Sequence, residues 1–180
     1  MSGKIIAIVI LILFSAYFSA TETAFTAMNK TKLKTMAADG NRKAQKVLAL
    51  EEKYDKLLTT ILIGNNVVNI AMTAIATVLF IALFAASGAA ISTVVITVVV
   101  LVFGEITPKN IAKEAPEAFA MFSAPIISLF MTILTPVNFV FTKWKEFVVR
   151  LFKLGGQDTI TDDEILTMVE EAETGGGIDE

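Results

Sequence analysis

The chain contains neither cysteine nor histidine. These absences exclude disulfides, thiolate or imidazole metal ligands, and any Ser–His or Cys–His catalytic pair. Charge is also sparse: 18% of the 180 residues are charged, and the formal net charge is only -3. The placement of the charges therefore says more than their sum. What is abundant is hydrocarbon, with 54% hydrophobic residues and a mean hydropathy of +0.68, which places the chain among membrane proteins. The chemistry left to it is that of oxygen in carboxylates, amides, hydroxyls and backbone carbonyls. Such donor sets suit hard cations such as Mg2+, Ca2+ or Mn2+.

The expected fold is an all-α integral membrane domain over residues 1–153, followed by a short acidic cytosolic helical segment over 154–180. A first span from Ile5 to about Met28 follows a single Lys4 and is long enough to cross a hydrocarbon core of roughly 30 Å. A secretory signal peptide with Ile5 to Phe14 as its apolar core is the alternative, disfavoured by the weak n-region and by later segments that also need a membrane. Residues 30–56 carry Lys30, Lys32, Lys34, Arg42, Lys43, Lys46, Lys53 and Lys56. They read as two surface helices around Asp39-Gly40-Asn41, in contact with the membrane surface and not with nucleic acid. By the positive-inside rule they mark the cytoplasmic face, which puts the N-terminus outside an inner cell membrane.

A second span runs from Leu57 to about Ala86 and a third from Ala89 to about Ile111, with an uncharged turn at Ser87-Gly88. The third is rich in β-branched residues, but its length and continuity favour helix in lipid. The last apolar stretch, about Ala118 to Phe141 within residues 117–153, is preceded by Lys109 and Lys113 and followed by Lys143, Lys145, Arg150 and Lys153, and Pro125 and Pro136 are expected to break it into pieces too short to cross. They read as juxtamembrane or re-entrant helices on the cytoplasmic side, with Trp144 as an interfacial anchor. From Asp158 onward there are nine acidic residues and no basic one. Thr161 and Glu164 there form a helix start of capping-box type. A helix too short to bury itself leads to the expectation that a cytosolic domain follows.

The candidate site lies in Val102-Phe103-Gly104-Glu105-Ile106-Thr107-Pro108-Lys109. An ionisable residue inside a span is costly and points to function. In an α-helix the N–H of residue 108 would bond the carbonyl of Gly104, but Pro108 has none, so a neutral oxygen and the Glu105 carboxylate are offered at one depth. The other spans hold matching pairs on single helical faces, Ser19 with Glu22 and Asn65 with Asn69. With about 1.5 Å of rise per residue, Ser19, Asn65 and Glu105 each lie about 12–13 Å inside the cytoplasmic end of their span. Taken singly, each has a plainer explanation. A membrane Ser usually bonds its own helix, Asn residues join helices, and a buried Glu can be neutral and structural. Converging at one depth, Ser19, Asn65, Asn69, Gly104 and Glu105 read as cation ligands. Ser15, Glu22, Asn66 and Pro108 are candidates for a gate or a second cation, and between Asn65 and Asn66 the direct ligand stays open. Asn29-Lys30-Thr31 matches a glycosylation sequon, which has no meaning on the cytoplasmic side.

Three motifs in order, Phe18-Ser19-Ala20-Thr21-Glu22-Thr23-Ala24, Gly64-Asn65-Asn66-Val67-Val68-Asn69 and Gly104-Glu105-Ile106-Thr107-Pro108-Lys109, resemble the transmembrane domain of the CorC / cyclin M family of magnesium transporters. The resemblance covers nearly the whole chain. It implies three transmembrane helices with a juxtamembrane belt, a homodimer in lipid, and Mg2+ export coupled to Na+ influx. It also implies that the acidic segment leads to nucleotide-binding CBS domains beyond this chain. On the family pattern the Mg2+ site would comprise Ser19, the asparagines of Gly64 to Asn69, the Gly104 carbonyl and Glu105. Three functions remain to be separated: an alternating-access Mg2+ transporter, a membrane Mg2+ sensor that binds without moving the ion, and an intramembrane hydrolase using Glu22 and Glu105. The hydrolase is the weakest, since few mechanisms survive without His or Cys.

Overall fold

A computed structural model of the protein describes residues 1–152, and the acidic segment with its Thr161 capping box lies outside them. The described residues form eight α-helices and no strand: α1 (Ser2–Ala27), α2 (Lys30–Ala38), α3 (Arg42–Glu51), α4 (Tyr54–Phe84), α5 (Gly88–Val99), α6 (Thr107–Glu114), α7 (Pro116–Ile133) and α8 (Thr135–Leu151). A 3-10 turn, Ala85–Ser87, joins α4 to α5, and a π-helical segment, Val100–Ile106, joins α5 to α6.

Among the described residues, three helical stretches are long and apolar enough to cross a membrane: Ser2–Ala27, Tyr54–Glu114 and Pro116–Ile133. The second is 61 residues long, about 90 Å if straight and about three times the hydrocarbon thickness. It is not straight. At Ala85, where φ is 48°, the chain reverses, and α5 packs back along α4. Gly88 sits against this corner. A Cβ there would lie 2.4 Å from the Phe80 carbonyl oxygen, so only glycine allows the approach.

The basic α2–α3 hairpin joins the C-terminal end of α1 to the N-terminal end of α4. Asn29 caps α2 by accepting from the Lys32 N–H at 3.0 Å, and Asn41 caps α3 by accepting from the N–H groups of Lys43 and Ala44. Gly40 between them takes φ +88°, the left-handed conformation that a helix stop favours. The buried core gathers at this end of the molecule, with Phe18, Leu33, Val47, Leu57, Ile61 and Ile127 meeting from α1, α2, α3, α4 and α7. Toward the other end Ile5, Ile6, Val9 and Ile10 of α1 and Val78 and Ile81 of α4 are exposed. In a bilayer that apolar surface faces lipid.

Two expectations about proline need correcting. Pro125 does not break the chain, since α7 runs through it as one helix of 18 residues. An exposed proline ring and a single lost hydrogen bond are tolerated in a helix packed on its neighbours along Ala120, Ala124 and Ile127. Nor is there a break at Gly104–Pro108. The helix continues, widened into π winding, with the Thr107 N–H donating to the Val102 carbonyl five residues back. Pro136 does stand at a bend, where α7 gives way to α8.

Although α7 is long enough to cross, both of its ends are tied to the basic hairpin side. The Glu117 carboxylate in its first turn accepts from the Asn29 N–H and from Lys32 Nζ, each at 3.0 Å. Just past its last turn, Thr135 Oγ1 accepts from Lys56 Nζ at 3.1 Å. A helix that starts and finishes beside the α1–α4 connection does not reach the opposite end, where Ser2 and the Ala85–Ser87 corner lie. Along α7, Tyr17 donates to the Ser123 carbonyl, and the Phe130 ring in the last turn packs on the Phe14 and Phe18 rings. The fold is thus an all-α membrane domain in which α7 is tied to the basic hairpin and to Lys56 at its two ends. Asn138, in the first turn of α8, donates to Thr60 Oγ1 at 2.9 Å.

Compact packing divides the chain at Phe139/Val140. Within the second unit, Lys143 bonds Glu146 at 2.9 Å and holds its carboxyl below the usual carboxylate range. Trp144 and Phe147 stack at 5.7 Å.

Candidate ion-binding site

α1 supplies one polar face. Ser15, Ser19 and Glu22 recur at spacings of four and three, which places them on a single stripe of the helix. The first two hydroxyls are fully buried. Across from them α4 presents Asn65 and Asn69, one turn apart. Ser15 Oγ donates to Asn65 Oδ1 at 3.1 Å, and Asn69 Nδ2 donates to the same oxygen at 3.4 Å. The third wall is the π segment. A Cβ on Gly104 would lie 2.8 Å from Ser15 Oγ, so the bare backbone there touches the serine hydroxyl.

Gly64 explains how α1 and α4 come close enough. A Cβ at that position would fall 2.4 Å from the Phe18 ring. The ring occupies the space a side chain would take, wedged also against Tyr17 and Phe130. This packing sets the register that aligns Ser15 with Asn65.

Ser19 Oγ, one turn from Ser15 on the same face of α1, and Asn69 Oδ1 are buried without a hydrogen-bond partner. Buried polar atoms are nearly always satisfied, so an orphan calls for a specific reason, an ion among them. Ser92 Oγ is also without a partner, but it lies about 18 Å along its helix from Gly104. Among the described residues no three His, Cys, Asp or Glu side chains converge. The cluster is therefore built on neutral oxygens, and Ser15 remains able to accept or ligate through its lone pairs while it donates to Asn65.

The remaining candidates lie at the margins. Glu105 is half-buried in the π segment, next to Gly104, and has no ion pair or hydrogen bond among the described residues. Asn66 turns away, donating to the Leu62 carbonyl of its own helix at 2.8 Å from an exposed position. Pro108 is half-buried in the first turn of α6. Glu22 meets Lys109 of α6 at 3.3 Å, a pairing that sequence reasoning did not anticipate. Ser15, expected only as a gate or second-cation residue, stands between Asn65 and Gly104. Its spacing of four from Ser19 was the available signal.

Residues 6–180 match the family model described as the cyclin M transmembrane N-terminal domain. The chain belongs to this family. Among relatives of this cyclin M domain, a UPF0053 protein of Haemophilus influenzae is 38% identical over 175 residues, covering 96% of this chain and 42% of the relative. A polyamine export protein of Escherichia coli is 35% identical, covering 94% of the chain and 41% of the relative. The UPF0053 inner membrane protein YfjD of the same organism is 34% identical, with 88% and 38% covered. The cyclin M domain thus spans about two fifths of the length of these relatives. Family and architecture together make it a multi-pass membrane protein.

Proposed function

We propose that this domain carries Mg2+ across the membrane, binding it among Ser15, Ser19, Asn65, Asn69, the Gly104 backbone and Glu105. The observation that carries the reading is two buried, unpartnered oxygens, Ser19 Oγ and Asn69 Oδ1, each one helical turn from the contact that Ser15 makes with Asn65 and the π segment. Mg2+ demands near-octahedral oxygen at about 2.0–2.1 Å and gives up water reluctantly. A cluster rich in neutral oxygens, with one carboxylate beside it, offsets dehydration without holding the ion too tightly to release. A π segment suits this task, because such bulges gather at functional sites and change winding at small cost.

Export coupled to Na+ influx is the form of transport proposed. A homodimer in the inner membrane is proposed with it, N-terminus outside and described C-terminal helix inside, since the eight basic residues from Lys30 to Lys56 favour the cytoplasm. Nucleotide binding belongs to the CBS domains expected beyond this chain, and none of the proposed chemistry is enzymatic.

A second reading is export of polyamines, favoured by relatives that carry that description. Oxygen acceptors also suit ammonium groups, although a polyamine carries several charges and Glu105 supplies only one. Proteoliposomes decide between the readings: Mg2+ flux that depends on a Na+ gradient and vanishes in Glu105→Gln and Ser19→Ala is the expected outcome. Putrescine or spermidine flux without Mg2+ flux supports the second reading. Mg2+ binding with no flux of either would make the domain a sensor.

A further inference from the structure

Glu105 and Lys109 stand four residues apart, glutamate first, the spacing and order at which such side chains pair on a helix. They do not pair. Lys109 Nζ lies 3.3 Å from Glu22 Oε2 on α1, and Glu105 is left without an ion pair among the described residues. Glu22 continues the stripe that begins with Ser15 and Ser19, about one turn closer to the C-terminal end of α1. The pair is therefore next to the cluster but outside it. Its side chains are 38% and 32% exposed, so water reaches them.

We propose that Lys109 is a tethered competitor for the cation at Glu105, and that Glu22 is the positioning residue that holds it aside. This rests on reading the cluster as a cation site. Released from Glu22, the flexible lysine stem lets the ammonium swing back to Glu105, its i–4 neighbour. There it would neutralise the carboxylate nearest the cluster and repel an arriving dication. At a separation of about 6 Å in a partly buried site, that repulsion weakens dication binding tenfold or more. Glu22 thus acts on Mg2+ without touching it. The device also favours selectivity, since only a cation bound more strongly than the tethered ammonium keeps Glu105.

The test is Mg2+ titration of the purified full chain in lipid nanodiscs, followed by calorimetry. Glu22→Gln is expected to weaken Mg2+ binding about tenfold or more, and the double variant Glu22→Gln with Lys109→Gln to restore it to near the wild-type value. A ligand or a mere prop at position 22 would not be rescued by removing the lysine. A double variant as weak as Glu22→Gln alone therefore overturns the inference. Should Glu22→Gln fail to fold, Lys109→Gln decides: binding as tight as wild type or tighter supports the competitor, and weaker binding overturns it. Wild-type protein that bound no Mg2+ would overturn the cation site itself, and the inference with it.

Discussion

Replacing Gly64 by alanine should separate the two helices that build the cluster. The new Cβ would meet three atoms of the Phe18 ring at 2.4, 2.6 and 2.9 Å, whereas carbon atoms rest at about 3.5–4.0 Å. Phe18 cannot step aside, because it is 1% exposed and the Tyr17 and Phe130 rings stand edge-on at 5.5 and 5.2 Å. α1 must then retreat from α4 by about 1 Å or more to restore van der Waals contact. Ser15 Oγ and Asn65 Oδ1, now 3.1 Å apart, would pass beyond bonding range. Overpacking of this kind costs about 1–3 kcal/mol, and the lost hydrogen bond about 1 kcal/mol more. The expected total is about 2–4 kcal/mol of destabilisation, read by denaturant unfolding in mixed micelles. Mg2+ flux in proteoliposomes should fall with it. Adding Phe18→Leu removes the obstructing ring and should recover part of both losses. If Gly64→Ala alone unfolded like wild type and carried Mg2+ at the wild-type rate, the clamp would have no part in aligning the cluster.

Two further outcomes follow from the same geometry. Gly104→Ala puts a methyl 2.8 Å from Ser15 Oγ and 3.3 Å from its Cβ, so Mg2+ flux should drop by about tenfold while unfolding shifts by less than in Gly64→Ala; unaltered flux would detach Gly104 from the site. Asn138→Ala removes a buried donor to Thr60 and should destabilise the α4–α8 junction by about 1–3 kcal/mol. Faster hydrogen exchange in the first turns of α8 is the accompanying sign, and unchanged protection would mean that this bond does not hold the junction.

Local rules carried much of the architecture. The caps at Asn29 and Asn41 and the turn at Gly40 follow from backbone groups that a few neighbouring side chains must satisfy, and they stand where residue order puts them. The long helical stretches α1, α4 and α5–α6 follow equally from apolar length. Proline misled because its effect depends on surroundings. Pro125 removes one hydrogen bond, which reads as a break in isolation but is absorbed in a helix packed along one face. At Pro108 the chain takes π winding instead of opening. That choice depends on the whole turn and not on one residue.

The sequence by itself determined that the protein lives in a membrane, that its chemistry is oxygen chemistry, and which polar residues share a helical face. These are matters of composition and short-range periodicity. Tertiary structure alone decided which faces meet. Ser15 belongs beside Asn65 because the Phe18 ring fits over Gly64, and Asn66 is excluded because its helix turns it outward. Lys109 reaches Glu22 and not its own helical neighbour because α6 packs against α1. Both ends of α7 return to the basic side because Glu117 and Thr135 find lysines there. Contacts between residues far apart in the chain depend on shape complementarity between whole helices, which no short stretch of sequence carries.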